Sequence, residues 1–123
     1  MKESIDIRLV RKIDQKFIPK TWGHEIWIAN SSLYCGKELF IKAGSSSSQH
    51  FHLIKTETLF VQLGNLHLLI WENAQEKEFF LHPGDSFLIT PGLVHKLCAP
   101  YEDVTLYEFS TEHFDSDSHR ITK

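Results

Sequence analysis

Two histidines and a glutamate lie within eight consecutive residues, in the stretch HFHLIKTE. The histidines are His50 and His52, and the glutamate is Glu57. Side chains two residues apart on a β-strand share a face, so the two imidazoles would converge on one point. Glu57 has odd parity relative to them and would point the other way on an unbroken strand. The spacing therefore predicts a turn or bulge within residues 53–56 that brings Glu57 back to the histidines.

A further ligand is expected from a neighbouring strand, and the candidate is His95, which follows the Pro91-Gly92 turn in LITPGLVHKL. Three imidazoles and one carboxylate suit divalent iron, manganese, nickel, copper, cobalt or zinc, with positions left open for water or substrate. Affinity alone does not choose among these metals. The alternative is that the four side chains only satisfy hydrogen bonds in the core or at its rim.

The elements that would position these residues are short runs of β-branched and aromatic residues, each of strand length. Turn-forming pairs such as Gly64-Asn65, Asn73-Ala74 and Pro91-Gly92 separate the runs and leave no room for a helix of ordinary length. Many short strands with such turns predict an all-β fold, either a closed antiparallel barrel or a jelly-roll sandwich. The runs are EIWIA, ELFIKA, TLFVQL, LHLLIW, EFFLH, SFLIT and VTLYEF.

The two ends of the chain carry further expectations. The segment IDIRLVRKI is predicted to be an N-terminal strand, and unpaired barrel edges predict a homodimer. The tail, residues 110–123, is polar and is expected to be mobile or to lie at a dimer contact. Its histidines, His113 and His119, are expected at the surface.

Length and composition limit the class of protein. A chain of 123 residues suits a single domain over residues 1–123. No apolar run is long enough to cross a bilayer, and the charged N-terminus does not resemble a secretory signal, so a cytoplasmic protein is expected. The 13 basic residues are scattered and the net charge is -3, which argues against a nucleic-acid partner. Cys35 and Cys98 are expected to be free thiols.

These motifs together resemble the cupin signatures. The first signature corresponds to Gly44, five residues, His50-x-His52, four residues, Glu57, six residues and Gly64. The second resembles the stretch from Gly84-Asp85 to Pro91-Gly92-Leu93-Val94-His95, although Thr90 and Ala99 stand where the pattern usually has proline and asparagine. The resemblance implies a double-stranded β-helix barrel with a metal near one mouth, and frequent dimerisation. It implies the ligands His50, His52, Glu57 and His95.

A finer resemblance concerns the segments TWGHEIW and YCGKELFIKAG, which look like those of the mannose-6-phosphate isomerase-like cupins. This resemblance implies an isomerase or epimerase acting on a small sugar or sugar phosphate, with Lys55 and Glu57 as catalytic residues. The chain departs from those isomerases because His50 occupies a position where they usually have glutamine, and Gln49 lies one place earlier. Other candidate acids and bases are Lys42, His67 and Glu108. For each of these and for Lys55, a solvated charge at a strand edge is the favoured alternative.

The identity of the substrate is constrained by the charged and aromatic residues. The only arginines are Arg8, Arg11 and Arg120, so the central segment lacks the side chain best suited to phosphate, which favours an unphosphorylated carbohydrate-like ligand. Lysines would have to replace arginine as point charges, with candidates Lys37, Lys42, Lys55 and Lys96. Aromatic residues could stack on sugar faces or fill the core; they are Trp22, Trp27, Trp71, Tyr34 and Tyr107.

The sequence is also compatible with two other functions. A site of three histidines and one glutamate is also what cupin dioxygenases use, and an oxygenase needs neither a phosphate grip nor a separate acid–base pair. The third possibility is a non-catalytic module that binds a sugar. A fold alone does not choose among them, since one fold hosts many activities.

Overall fold

The computed structural model describes residues 6–121 of the chain, which form β-strands joined by turns. This part contains no α-helix, as the turn spacing predicts, and therefore no helix that could span a membrane. Short 3-10 turns occur at Lys12–Asp14 and Asp115–Asp117. The strands are β1 (Lys16–Lys20), β2 (Gly23–Asn30), β3 (Cys35–Ile41), β4 (Ser45–Ser46), β5 (His50–Phe51), β6 (Glu57–Leu63), β7 (Leu66–Glu72), β8 (Gln75–Leu81), β9 (Ser86–Ile89), β10 (Val94–Ala99), β11 (Val104–Ser110) and β12 (His119–Arg120).

The strands form two antiparallel sheets. The first has the order β1-β2-β3-β11-β6-β9, and the second has the order β12-β5-β10-β7-β8, with β4 also paired to β10. Apolar side chains from both sheets make one core, for example Leu59 and Leu106 from the first sheet and Leu68 and Leu97 from the second. Two antiparallel sheets with a shared core confirm the predicted all-β barrel of the jelly-roll type.

Alternation along the strands produces this core. In β3, every second side chain from Cys35 to Ile41 is buried, and β7 repeats the pattern from Leu66 to Ile70. Apolar residues occupy most of these inward positions, so the two sheets close over a shared core. Lys37 is an exception because it occupies an inward position of β3 and is only 2% exposed.

Seven predicted strand runs correspond to β2, β3, β6, β7, β8, β9 and β11. The prediction for IDIRLVRKI is wrong: residues 6–13 contain no strand, and the first strand is β1. Asp6 closes a local turn by accepting a hydrogen bond from the backbone N–H of Arg8 at 3.0 Å, and Ile7 is 91% exposed. The apolar alternation of this segment therefore lacks the partner strand that would make it a β-strand.

Candidate metal centre

The three predicted histidine ligands lie close together. His50 is on β5 and is directly opposite His95 on β10. One ring nitrogen each of His50, His52 and His95 lies within 4.8 Å of the other two. His52 and His95 are buried, with 5% and 1% of their surface exposed. The structure thus brings three imidazoles from two adjacent segments to one point inside the barrel.

The predicted change of register after His52 is confirmed. Strand β5 ends at Phe51, residues 53–56 form an irregular connection, and Glu57 is the first residue of β6. Leu53 and Ile54 are exposed in this connection, whereas Glu57 is buried. Glu57 therefore points inward from the first sheet towards histidines that come from the second.

The hydrogen bonds of the histidines determine which ring nitrogen is free. Nδ1 of His50 lies 2.8 Å from the carbonyl oxygen of Ser48, and Nδ1 of His95 lies 2.9 Å from that of Leu93. Nδ1 of His52 lies 3.0 Å from the carbonyl oxygen of Asp117. A carbonyl oxygen can only accept, so each Nδ1 carries the proton and each Nε2 keeps a lone pair. This is the arrangement in which imidazoles ligate metals through Nε2.

The carboxylate of Glu57 faces these nitrogens. Its Oε2 lies 3.7 Å from Nε2 of His52, and its Oε1 lies 3.7 Å from Nε2 of His95. Oε2 is buried, and Lys55 Nζ approaches it to 3.0 Å as an ion pair. When Glu57 is ionised, acceptor groups thus face one another. A bound cation would satisfy all of them, so the residues fit a metal ion.

Burial sets the protonation of this centre. It lowers the pKa of His52 to about 4 and that of His95 to about 3, and it also lowers the pKa of His50. The histidines are therefore neutral at neutral pH, the form that binds metals. Burial, and then the nearby negative charge of Glu108, raise the pKa of Glu57 to about 7.

A second polar network lies beside the histidines. Lys55 is 2% exposed and donates hydrogen bonds to Glu108 Oε2 at 2.8 Å and to His113 Nδ1 at 3.0 Å. Burial opposes the charged form of Lys55, but Glu108 and Glu57 outweigh it and raise its pKa. Burial likewise opposes ionisation of Glu108, but Lys55 and Lys37 lower its pKa to about 2. The network therefore holds a protonated lysine next to Glu57.

The structure corrects the expectation for one histidine and leaves two of the candidate acids and bases outside the site. His113 is buried and not at the surface, because it accepts from Lys55 and its Nε2–H donates to Asp115 at 2.9 Å. His67 is not near the centre, since its side chain pairs with Glu78 on the other face of β7. Lys42 is exposed and does not line the cavity. The inward parity of Lys37, which it shares with Leu39 and Ile41, was a signal that could have identified it as a cavity residue.

The histidines lie at a cavity of about 580 Å³ between the sheets. Trp22 and Trp27 line it, whereas Trp71, Tyr34 and Tyr107 do not, so only two of the five aromatic candidates are placed to touch a ligand. Arg120 also lines the cavity, because β12 pairs with β5 and brings the tail beside His50. The expectation that no arginine reaches the site is therefore wrong. Sequence distance concealed a tail residue that the fold returns to the cavity.

Sheet order, the inward histidines and the flanking cavity define a cupin β-barrel fold. Solved structures with this fold match over 89% of the chain, including capsular polysaccharide assembling protein CapF from Staphylococcus aureus (15% identity, TM-score 0.78). Oxalate decarboxylase from Bacillus subtilis (14%, TM-score 0.81) and oxalate decarboxylase from Lactobacillus farciminis in a formate complex (16%, TM-score 0.78) match equally widely. The chain corresponds to 34%, 31% and 35% of the lengths of these three structures. No protein-family model and no curated protein matches the sequence.

Proposed function

We propose that the chain is a metal-dependent isomerase or epimerase that acts on a small sugar or sugar phosphate. His50, His52, His95 and Glu57 would hold a divalent transition metal such as zinc, manganese, iron, nickel or cobalt. The observation that carries the proposal is the cluster of acceptor groups around Glu57 Oε2, a buried oxygen without a hydrogen-bond partner, next to the ammonium group of Lys55. Such a pair offers a proton acceptor and a proton donor at one point.

The chemistry follows from these groups. A bound divalent metal supplies a Lewis acid that polarises a carbonyl and its neighbouring hydroxyl. Glu57 would give one carboxylate oxygen to the metal and keep Oε2, beside Lys55, to accept the proton from the carbon next to the carbonyl and return it to the adjacent carbon. Lys55 would donate a hydrogen bond to the oxygen on which negative charge develops, and Glu108 and His113 would hold its ammonium group in place.

The walls of the cavity support a carbohydrate-like ligand. Trp22 and Trp27 present indole rings to the same space as the histidines. Aromatic rings stack on the apolar faces of sugars while polar groups bind the hydroxyls. One protein of this fold has a name that refers to capsular polysaccharide assembly, which agrees with a carbohydrate ligand, whereas others are named for oxalate.

A cupin dioxygenase is the second candidate, because the donor set of three histidines and one carboxylate suits a redox metal such as divalent iron. In that case Lys55 would only neutralise Glu57 and Glu108. A non-catalytic sugar-binding module would use the same cavity without either reaction.

One set of measurements separates these functions. The protein is purified from metal-replete medium, and its metal content is compared with that of His52→Ala, which we expect to lose the metal. A panel of sugars is then incubated with the metal-loaded protein in deuterated water and followed by proton NMR, while oxygen uptake is recorded with iron loaded. Deuterium at the carbon beside the carbonyl supports the isomerase, and oxygen consumption coupled to substrate loss supports the oxygenase. Binding without either signal supports the sugar-binding module.

Lys55→Met tests the role of the donor, with Lys77→Met as the matched control. Lys77 also pairs with a glutamate, Glu72, but on the surface of the second sheet. We expect deuterium incorporation to fall at least about a hundredfold in Lys55→Met and to be unchanged in Lys77→Met, since general acid–base groups contribute factors of this order. Equal rates in both variants contradict the role of Lys55.

A homodimer also stays a proposal. It is supported by exposed apolar residues at the N-terminal end, where Ile7 and Ile13 are 91% and 90% exposed and Phe17 lies on the edge strand β1. Analytical ultracentrifugation measures the oligomeric state directly, and a monomer at micromolar concentration would contradict the proposal.

A further inference from the structure

Lys37 is a buried lysine that the proposed reaction does not use. It lies on an inward position of β3 and lines the same cavity as the histidines. Its Nζ lies 3.5 Å from Glu25 Oε1 and 4.4 Å from the centre of the Trp27 ring. No hydrogen bond from this ammonium group to a protein acceptor is found in residues 6–121. Burial of a lysine is costly unless its charge is compensated, so the position requires an explanation.

Glu25 does not compensate this charge alone. Lys20 Nζ also approaches Glu25, at 3.9 Å from Oε2, and the indole N–H of Trp27 donates to Glu25 Oε1 at 2.9 Å. One carboxylate therefore faces two lysines and an N–H donor. Glu108 lies opposite Lys37 in the strand register, but its Oε2 accepts from Lys55. Two lysines and one N–H donor thus share the Glu25 carboxylate, and Lys37 Nζ, 3.5 Å from it, makes no hydrogen bond to it.

We propose that Lys37 and Lys20 form a subsite for the carboxylate of a sugar acid, such as a hexuronate. A ligand carboxylate would supply the acceptor that Lys37 lacks. Arg120, which also lines the cavity and whose fork suits a doubly charged phosphate, lies beside His50 on the second sheet, whereas the two lysines lie on the first. This inference rests on the proposed function, because the other end of the same ligand would lie at the histidines.

Strand spacing sets the length of that ligand. Lys37 is on β3 and Glu57 is on β6, with β11 between them. At about 4.8 Å per strand, and with an offset of two residues along the strands, the two positions are on the order of 12 Å apart at the backbone, and their side chains both point into the cavity. Because both side chains extend into this space, a chain of five or six carbons, with a carbonyl at one end and a carboxylate at the other, fits the gap that remains. A two-carbon acid would reach only one of the two sites.

The test is isothermal titration calorimetry of the metal-loaded protein with three hexoses that differ only at carbon six: D-glucuronate, D-glucose and D-glucose 6-phosphate. We expect glucuronate to bind at least about tenfold more tightly than glucose, the usual gain from a charge-assisted hydrogen bond. Lys37→Met should remove this preference without changing glucose binding or metal content. The control Lys77→Met, an equal change of charge on the surface, should keep it.

Glu25→Gln should strengthen the binding of glucuronate, whereas Lys37→Met should weaken it. Glutamine keeps an oxygen for the indole N–H of Trp27 but no longer competes for Lys37, so glucuronate should bind about threefold to tenfold more tightly. This variant also carries the test if Lys37→Met does not fold, as judged by circular dichroism. A merely structural role of Lys37 would not give opposite effects in the two variants.

The remaining outcomes distinguish a failure of the subsite from a failure of the proposed isomerase activity. Equal affinities in wild type, Lys37→Met and Glu25→Gln overturn the subsite, as does a preference for glucose 6-phosphate over glucuronate or no binding of glucuronate. Lys37-dependent binding of glucuronate without deuterium exchange supports the subsite while the isomerase fails. Isomerisation of glucose by the wild type, together with equal affinities for glucuronate and glucose, supports the isomerase while the subsite fails.

Discussion

Glu57 has acceptor nitrogens on one side and a protonated lysine on the other. Nε2 of His52 and of His95 each lie 3.7 Å from one of its oxygens, and Lys55 Nζ lies 3.0 Å from Oε2. The lysine neutralises the charge of the carboxylate but does not supply a donor towards the histidines. This is the arrangement we expect if Glu57 is a metal ligand whose negative charge is moderated by Lys55.

Substitution of Glu57 tests this at the residue scale. Glu57→Gln keeps the shape of the side chain but removes its charge, so we expect the affinity for Co²⁺, measured by competition with a chelator, to fall at least about tenfold. The matched control is Glu78→Gln, since Glu78 also contacts a histidine, His67, at 2.9 Å outside the cavity. Equal affinities in the two variants would exclude Glu57 as a ligand.

At the residue scale, the sequence predicts side-chain directions, because these follow from residue spacing and from the alternation of a strand. The shared face of His50 and His52, and the return of Glu57 after the connection, both follow from the alternation of a strand. The burial of His113 does not follow, because it depends on Lys55, which is 58 residues away along the chain. Long-range contacts of this kind are determined by the fold and leave no local pattern.

At the scale of elements, the C-terminal tail contributes to the candidate metal site. The carboxylate of Asp117 accepts hydrogen bonds from the backbone N–H groups of Leu53, Ile54 and Lys55, between 2.9 and 3.2 Å. The carbonyl oxygen of the same residue accepts from His52 Nδ1. One tail residue thus holds both the connection that reorients Glu57 and the ring of a histidine ligand.

Asp117→Ala should therefore weaken the metal site. We expect the free energy of unfolding to fall by about 2 kcal/mol and the affinity for Co²⁺ to fall about tenfold, since groups that orient metal ligands have effects of this order. Asp117→Asn keeps an acceptor for Leu53 and should recover part of the affinity. The control is Asp14→Ala, an equal change of charge in the exposed 3-10 turn Lys12–Asp14. Unchanged cobalt binding and an unchanged cobalt absorption spectrum in Asp117→Ala would contradict this role.

The turn between β7 and β8 gives a second prediction for an element. Asn73 and Ala74 have φ values of 54° and 60°, the left-handed conformation of both central residues in a type I′ hairpin. Alanine is disfavoured there, whereas glycine adopts it readily. Ala74→Gly should raise the free energy of unfolding by about 0.5 to 1 kcal/mol, measured by urea denaturation. A lower stability would show that the greater freedom of glycine in the unfolded chain outweighs the relief of strain in the turn.

At the scale of the whole molecule, the sequence predicts the class of fold well because each strand carries its own alternation and each turn its own glycine, proline or asparagine. It does not predict the N-terminal segment, since residues 6–13 have the alternation of a strand but no neighbour to pair with. It also does not predict that Arg120 lines the cavity, because this requires β12 to return to β5. The pattern within one segment predicts a strand, but which residues meet at the site depends on how the strands pair.

The buried histidines make the stability of the metal-free protein depend on pH. The unfolded chain binds protons at histidine near pH 6.5, whereas in the fold the pKa of His52 is about 4 and that of His95 about 3. Between these values the unfolded state holds more protons, so stability falls as the pH falls. In the presence of a chelator, each of these two histidines should lower the free energy of unfolding by about 2 kcal/mol between pH 7.5 and 5. The lowered pKa values of His50 and His113 act in the same direction, whereas Glu57, whose pKa is raised to about 7, takes up a proton on folding below that pH and offsets part of the loss. Urea denaturation at a series of pH values measures the net slope, and His95→Gln should reduce the loss of stability over this range by about 2 kcal/mol. The same slope in His95→Gln and in the wild type would show that His95 is already protonated, or hydrated, in the folded protein.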